Sequence, residues 1–189
     1  FPGAIPRVPR HSWPPCSGPG SRSGAAWVFA NTGGGWEFAA KLRPPDASAG
    51  IRFGTSVSVR GDRVAVGAPE DSSVAASSGS VFVFRFGGHS WALEDKLVAP
   101  ETSVGAQFGW SVALDDNSVI GGAPGDPAHG RNTGSAHVFR LDGGKWIPDA
   151  KLTAADGLGG DFFGWSVSLD GTRALVGAWG AFGASAYEG

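Results

Sequence analysis

The stretch FGTSVSVRGDRVAVGAP, residues 53–69, returns as FGWSVALDDNSVIGGAP over 108–124 and as FGWSVSLDGTRALVGAW over 163–179. The interval is 55 residues each time (53 to 108, 108 to 163), so the chain is a tandem repeat, and a repeat of this length decides the architecture. Independent landmarks keep the same spacing: Trp36, Trp91 and Trp146; Lys41, Lys96 and Lys151, each followed by Leu; Gly24, Gly79 and Gly134; and Gly50, Gly105 and Gly160.

One period reads as four strands. Residues 53–59 alternate, with Phe53, Val57 and Val59 on one side and Gly54, Ser56 and Ser58 on the other, the period of two that a strand requires. A short polar turn leads into a second strand over 64–68, which makes a hairpin. After the loop 70–78, SVFVFRF (80–86) is apolar on both faces, as a strand covered on both sides must be. Gly87-Gly88 turns the chain into a fourth strand, WALEDKLVA (91–99). A four-stranded antiparallel unit in tandem is the blade of a β-propeller, and the fold class expected is all-β. Blade-on-blade stacking explains why Val81 to Phe84, and Val138 and Phe139 one period on, need cover on both faces. The 32 Gly, 13 Pro, 8 Trp and 12 Phe, with no Met, suit short strands and tight turns better than helices.

The motifs resemble those of the FG-GAP repeat family, whose best-known members are the propeller heads of integrin α subunits. They are Phe53-Gly54 with Gly67-Ala68-Pro69, Phe108-Gly109 with Gly122-Ala123-Pro124, and Phe163-Gly164 with Gly177-Ala178-Trp179. The resemblance covers residues 24–189, while residues 1–23 read as an irregular Pro/Arg-rich arm or a degenerate half blade. Kelch repeats also carry a Gly pair and a Trp, but Gly143-Gly144 stands too close to Trp146 for that pattern.

The resemblance implies calcium binding in some relatives, in a loop like Asp-x-Asp-x-Asp-Gly just before the strand that ends in Gly-Ala-Pro. A hard cation needs six to eight oxygens. The matching positions hold Arg60-Gly61-Asp62, Asp115-Asp116-Asn117 and Asp170-Gly171-Thr172, which supply too few, so no cofactor is expected. The same alignment reads Arg60-Gly61-Asp62 as a hairpin turn rather than an adhesion signal, because turn-forming residues fill that place in every repeat.

Catalytic signatures were not found: there is no Gly-x-Ser-x-Gly elbow, no phosphate-cradling Gly-x-x-x-x-Gly-Lys-Ser/Thr loop and no His-Glu-x-x-His. Asp46, Glu101 and Asp156 recur in register, and read as loop carboxylates that hold backbone amides. An enzyme is not expected. Net charge is -2, divided between an arm with Arg7, Arg10 and Arg22 and a mildly acidic body, which does not recommend nucleic acid as a partner. Cys16, the one cysteine, precludes an intrachain disulfide, and no apolar run suffices for a membrane span.

Three blade-equivalents are fewer than the four to eight of closed propellers, so the chain reads as part of a longer propeller or as an arc that something must cap. The expected function is a noncatalytic protein-interaction or scaffold module, or a structural subunit of a larger assembly, with recognition on the loops 70–78 and 125–133. Candidate contact residues there are Asp71, Ser72, Asp126, His129 and Arg131. Trp110 and Trp165 read first as packing between blades, and otherwise as an aromatic surface for carbohydrate. The family resemblance implies an extracytoplasmic location.

Overall fold

The computed structural model describes residues 23–45 and 49–181, and within them the repeat's apolar segments become twelve β-strands. These are β1 (Ala26–Asn31), β2 (Trp36–Leu42), β3 (Val57–Arg60), β4 (Arg63–Ala68), β5 (Ser80–Phe86) and β6 (Trp91–Leu97). One period later come β7 (Ser111–Leu114), β8 (Ser118–Ala123), β9 (Ser135–Asp142), β10 (Lys145–Leu152), β11 (Phe163–Asp170) and β12 (Arg173–Ala178). All pairings within the sheets are antiparallel, and no helix occurs among the described residues. Two sheets are complete, in the orders β3-β4-β5-β6 and β7-β8-β9-β10; β1-β2 and β11-β12 are two-stranded. The described residues thus form two full propeller blades flanked by the outer half of a preceding blade and the inner half of a following one. Except for Ser23, the N-terminal arm lies outside the described residues, as does Asp46.

Two apolar clusters fill the seams. Ala65, Val81, Val83 and Leu97 of one full blade meet Phe108, Val112, Leu114 and Val119 of the next. On the other face, Val64, Val66, Phe82 and Phe84 pack with Ala26 and Leu42 of the half blade. Successive residues of β5 therefore serve opposite seams, which is why its sequence is apolar at every position from Val81 to Phe84.

The Phe-Gly motif works differently from the alternating strand expected of it. Regular pairing begins only at Val57, and Phe53 instead forms an isolated parallel bridge to Gly24, repeated as Gly79 with Phe108 and Gly134 with Phe163. Each bridge ties the end of one blade's loop to the start of the next blade. Phe53 and Phe108 are buried, whereas Val57 and Val59 are exposed, so the three side chains expected on one face do not share one environment. The Gly of the motif takes positive φ (93° at Gly54, 87° at Gly109), which an L side chain rarely adopts.

Gly-Ala-Pro marks the seam itself. Cβ atoms at Gly67 and Gly122 would stand 1.9 Å from the carbonyl oxygens of Gly109 and Gly164 in the next blade. Ser56 and Ser111 donate their hydroxyls to the same two carbonyls at 2.8 Å. Backbone meets backbone here, and only hydrogen at that position allows it.

Candidate functional site

Antiparallel order sends all long connections to one end of the blades. The segments 69–79 and 124–134, and the segments 98–110 and 153–162 that lead into the next blade, share this loop end. Short turns such as Gly61-Asp62 share the other. The candidate residues Asp71, Ser72, Asp126, His129 and Arg131 all fall on loop-end segments, and Trp110 and Trp165 lie beside them at the start of the inner strands.

Asp71 and Asp126 point inward. Asp71 accepts from Ser80 Oγ at 2.6 Å, from the Ser73 amide at 2.9 Å and from Lys96 Nζ at 2.7 Å, and it is buried. Asp126 accepts from Ser135 Oγ at 2.7 Å and faces Lys151 Nζ at 3.3 Å. Burial pushes both carboxyls up, but the hydrogen bonds and the neighbouring ammonium outweigh it and hold both below the ordinary carboxylate value. Their role is to fold each loop back onto its blade. Ser72, His129 and Arg131 remain exposed at the loop surface.

The same loops are stitched to the following blade. Amides of Gly105, Gln107 and Phe108 donate to carbonyls of Ala76, Ser77 and Ser78 at 2.8–3.0 Å, and those of Gly160, Phe162 and Phe163 to Arg131, Asn132 and Thr133 at 2.9–3.0 Å. Glu70 adds side-chain ties, accepting from Ser77 Oγ at 2.7 Å and from Gln107 Nε2 at 3.1 Å. Sequence reasoning missed Ser80, Ser135, Lys96 and Lys151 as partners of the two aspartates. Their common 55-residue spacing with Asp71 and Asp126 was the signal that could have found them.

Among the positions at which the two full blades differ, one lies beside the buried aspartates. Phe82 lies under Lys96, with Nζ 5.3 Å from the ring centroid, whereas its counterpart is His137. His137 is buried, with Nε2 3.1 Å from Ser135 Oγ and 3.7 Å from Asp126 Oδ2. Serine, histidine and aspartate thus meet, but both oxygens face one ring nitrogen. A relay needs the carboxylate on the opposite nitrogen, and a nucleophile needs exposure that the fully buried Ser135 lacks. A cleft of about 200 Å³ opens beside this cluster, lined by Pro100, Glu101, His137, Pro148, Asp149 and Lys151 among others. Glu101 reaches across from the preceding blade to Lys151 at 3.2 Å.

Trp110 and Trp165 pack against each other across neighbouring blades, with ring centroids 4.8 Å apart. Trp165 continues into Phe162 and Trp179, whose rings stack at 5.6 Å, and this aromatic row is partly open to solvent.

At the turn end, Gly61 and Asp62 form the two-residue turn between β3 and β4, and Gly61 has φ of 56°. Both charges of the tripeptide are engaged. Arg60 donates to Asp116 of the next blade at 2.8 Å, and Asp62 accepts from Arg85 at 2.8 Å. Asp115 accepts from the Gly171 amide at 2.6 Å. The calcium site of some relatives would fall in these turns, but an arginine already faces the carboxylates and too few oxygens converge, so the residues do not fit one.

The family model described as FG-GAP repeat matches residues 36–84, 91–139 and 146–188, in register with the three repeats. No curated protein matches the chain.

Proposed function

Since the chain belongs to the FG-GAP repeat family, which suggests a propeller-like interaction module, we propose that it is a noncatalytic scaffold presenting its loop end to a protein partner. The observation that carries this reading is the locking of each loop from below by a buried carboxylate, Asp71 or Asp126, and from the side by the next blade. Loops held this way lose little conformational entropy on binding, which favours recognition by a rigid surface. Ser72, Val74, His129 and Arg131 stand exposed on that surface. Kinship also supports an extracytoplasmic location, tested by whether protease added to intact cells cleaves the native protein.

Photo-crosslinking residues at Val74 and Arg131, compared with Asn117 and Gly171 at the turn end, test the interaction. One protein should crosslink from the loop end alone, be displaced by excess unlabelled chain, and bind at least about tenfold more weakly to Asp126→Ala, whose loop is released from below. Equal labelling from both ends would sink the proposal.

A second reading, carbohydrate binding, is favoured by the open row of Phe162, Trp165 and Trp179. Oligosaccharides should then shift tryptophan fluorescence saturably in the native chain and not in Trp165→Ala. No shift with a broad oligosaccharide panel rejects it.

A further inference from the structure

The cleft in the second full blade is built from residues that depart from the repeat. His137 lines it and is 2% exposed, where the first full blade has Phe82. The tautomer of the imidazole follows from its neighbours. Ser135 gives its one hydroxyl hydrogen to Asp126 Oδ2 at 2.7 Å, so in its 3.1 Å contact with His137 the hydroxyl accepts, and Nε2 carries the proton. Nδ1 of the neutral ring is then an acceptor. Among the described residues nothing donates to it, and no buried side-chain nitrogen or oxygen lacks a partner there, so Nδ1 is reached through the cleft.

A second acceptor comes from an irregularity of the sheet. The register of β9 with β10 shifts between Pro148 and Ala150, which leaves Asp149 out of the pairing. Its counterpart Glu94, at the matching shift between β5 and β6, is held by Arg63 at 2.8 Å and 3.0 Å and by Trp146 Nε1 at 3.1 Å. Asp149 faces Arg140 at 3.6 Å, and Arg140 is shared with Asp142 at 3.4 Å. Glu101 supplies a third acceptor from the connection that leaves the preceding blade. Charge around the cleft is unbalanced: Glu101, Asp126, Asp142 and Asp149 face Lys151 and Arg140.

We infer that this cleft receives the ammonium group of a lysine side chain from the protein partner, an inference that rests on the interaction reading above. Its volume of about 200 Å³ is below the roughly 300–1,000 Å³ of pockets that enclose whole small molecules, and suits one side chain. Pro100, Val138, Pro148 and Ala150 offer apolar wall to a methylene stem. The three ammonium hydrogens match His137 Nδ1, Glu101 and Asp149. Acceptors carried by three separate segments suit a compact charge with rotatable donors better than a planar guanidinium, which favours both oxygens of one carboxylate. The same wall already holds one ammonium, Lys151 Nζ, at 3.2 Å from Glu101 and 3.3 Å from Asp126. Glu101 and Lys151, next to the last residue of β10, set the cleft beside the loop end that the partner meets.

Nα-acetyl-lysine N-methylamide, titrated into the full 189-residue chain at about pH 8, tests the cleft. The backbone amide resonances of Val138 and Ala150 and the side-chain nitrogens of His137 are the readouts, and all should shift saturably. Acetylating Nε of the probe, which keeps the stem and removes the charge, should abolish the shift, and the arginine analogue should bind at least about threefold more weakly. His137→Phe should weaken the lysine probe about tenfold. That variant keeps the blade, because Phe82 holds the same place under Lys96 in the first full blade. Asp149→Asn should weaken the probe about threefold. A proton on Nδ1, equal binding of the acetylated probe or the arginine analogue, unchanged affinity in His137→Phe, or no saturable shift below about 100 mM overturns the inference. Saturating lysine probe should also displace the partner crosslinked from Val74 and Arg131, and crosslinking that persists overturns the partner's lysine as the occupant. Absence of any loop-end crosslink sinks the interaction reading and the source of the lysine with it, whereas a probe that fails to bind while crosslinking is intact overturns the cleft alone.

Discussion

Gly122→Ala tests the seam between full and following blades at its tightest point. An added Cβ would lie 1.9 Å from the Gly164 carbonyl oxygen and 2.4 Å from Ser111 Oγ. Real Cβ atoms essentially never come within 3.0 Å of such atoms, so in a close-packed seam the two backbones must part by about 1 Å. That separation breaks the 2.8 Å hydrogen bond from Ser111 to Gly164. Overpacking costs about 1–3 kcal/mol, and the lost hydrogen bond about 1 kcal/mol more. The expected loss is therefore about 2–4 kcal/mol, a large share of the roughly 5–15 kcal/mol that holds a domain together. Urea denaturation followed by tryptophan fluorescence measures it, and for a slope near 2 kcal/mol/M the midpoint should fall by about 1–2 M. Protein concentration must be held constant, since association would shift the midpoint by mass action. Gly34→Ala is the control: Gly34 lies in the exposed β1-β2 connection, has no positive φ, and nothing stands within 4 Å of its Cβ position. If the Gly122→Ala midpoint falls no further than that of Gly34→Ala, the close approach of backbones is not what makes this glycine necessary.

Acid should weaken the protein through Asp71 and Asp126. Both carboxyls are held below their ordinary value in the folded chain, so their contribution is complete above about pH 4 and is lost as pH falls through the folded values. Asp71→Asn should be less stable than the native chain at pH 7 by about 1–3 kcal/mol, with the gap closing below about pH 4. A gap that stayed constant from pH 7 to pH 2 in urea titrations would show that the charge of Asp71 contributes nothing. Calcium at millimolar concentration should leave the thermal midpoint unchanged, because Arg60 and the Gly171 amide already engage Asp116 and Asp115. A calcium-dependent rise that EDTA reverses would contradict that account of the turns.

Much of the fold was legible because blade stacking imposes local rules that a sequence cannot hide. A middle strand serving two seams must be apolar on successive residues, and Val81 to Phe84 are; a seam where backbones touch must carry glycine, and Gly67 and Gly122 do. Phe53 was harder to place. Its alternation with Val57 and Val59 imitates one strand, whereas the side chain turns inward from a single parallel bridge before regular pairing begins. Periodicity records which residues are apolar but not where pairing starts.

The candidate site was legible only as a location. Loops 70–78 and 125–133 are legible as long connections on a rigid scaffold, where recognition is usually placed, yet the aspartates within them read as outward contacts. A carboxylate in a loop has the same sequence signature whether it faces solvent or a lysine on the second strand that follows. What separates the two cases is recurrence of the partners: Asp71, Ser80 and Lys96 reappear together as Asp126, Ser135 and Lys151, whereas Ser72, His129 and Arg131 have no such recurring set. Recurrence marks what the scaffold needs in every blade, and departure from it marks what one blade is free to use. By that rule the replacement of Phe82 by His137 is a departure with a consequence: it places a buried imidazole beside Ser135, Asp126 and the cleft of that blade.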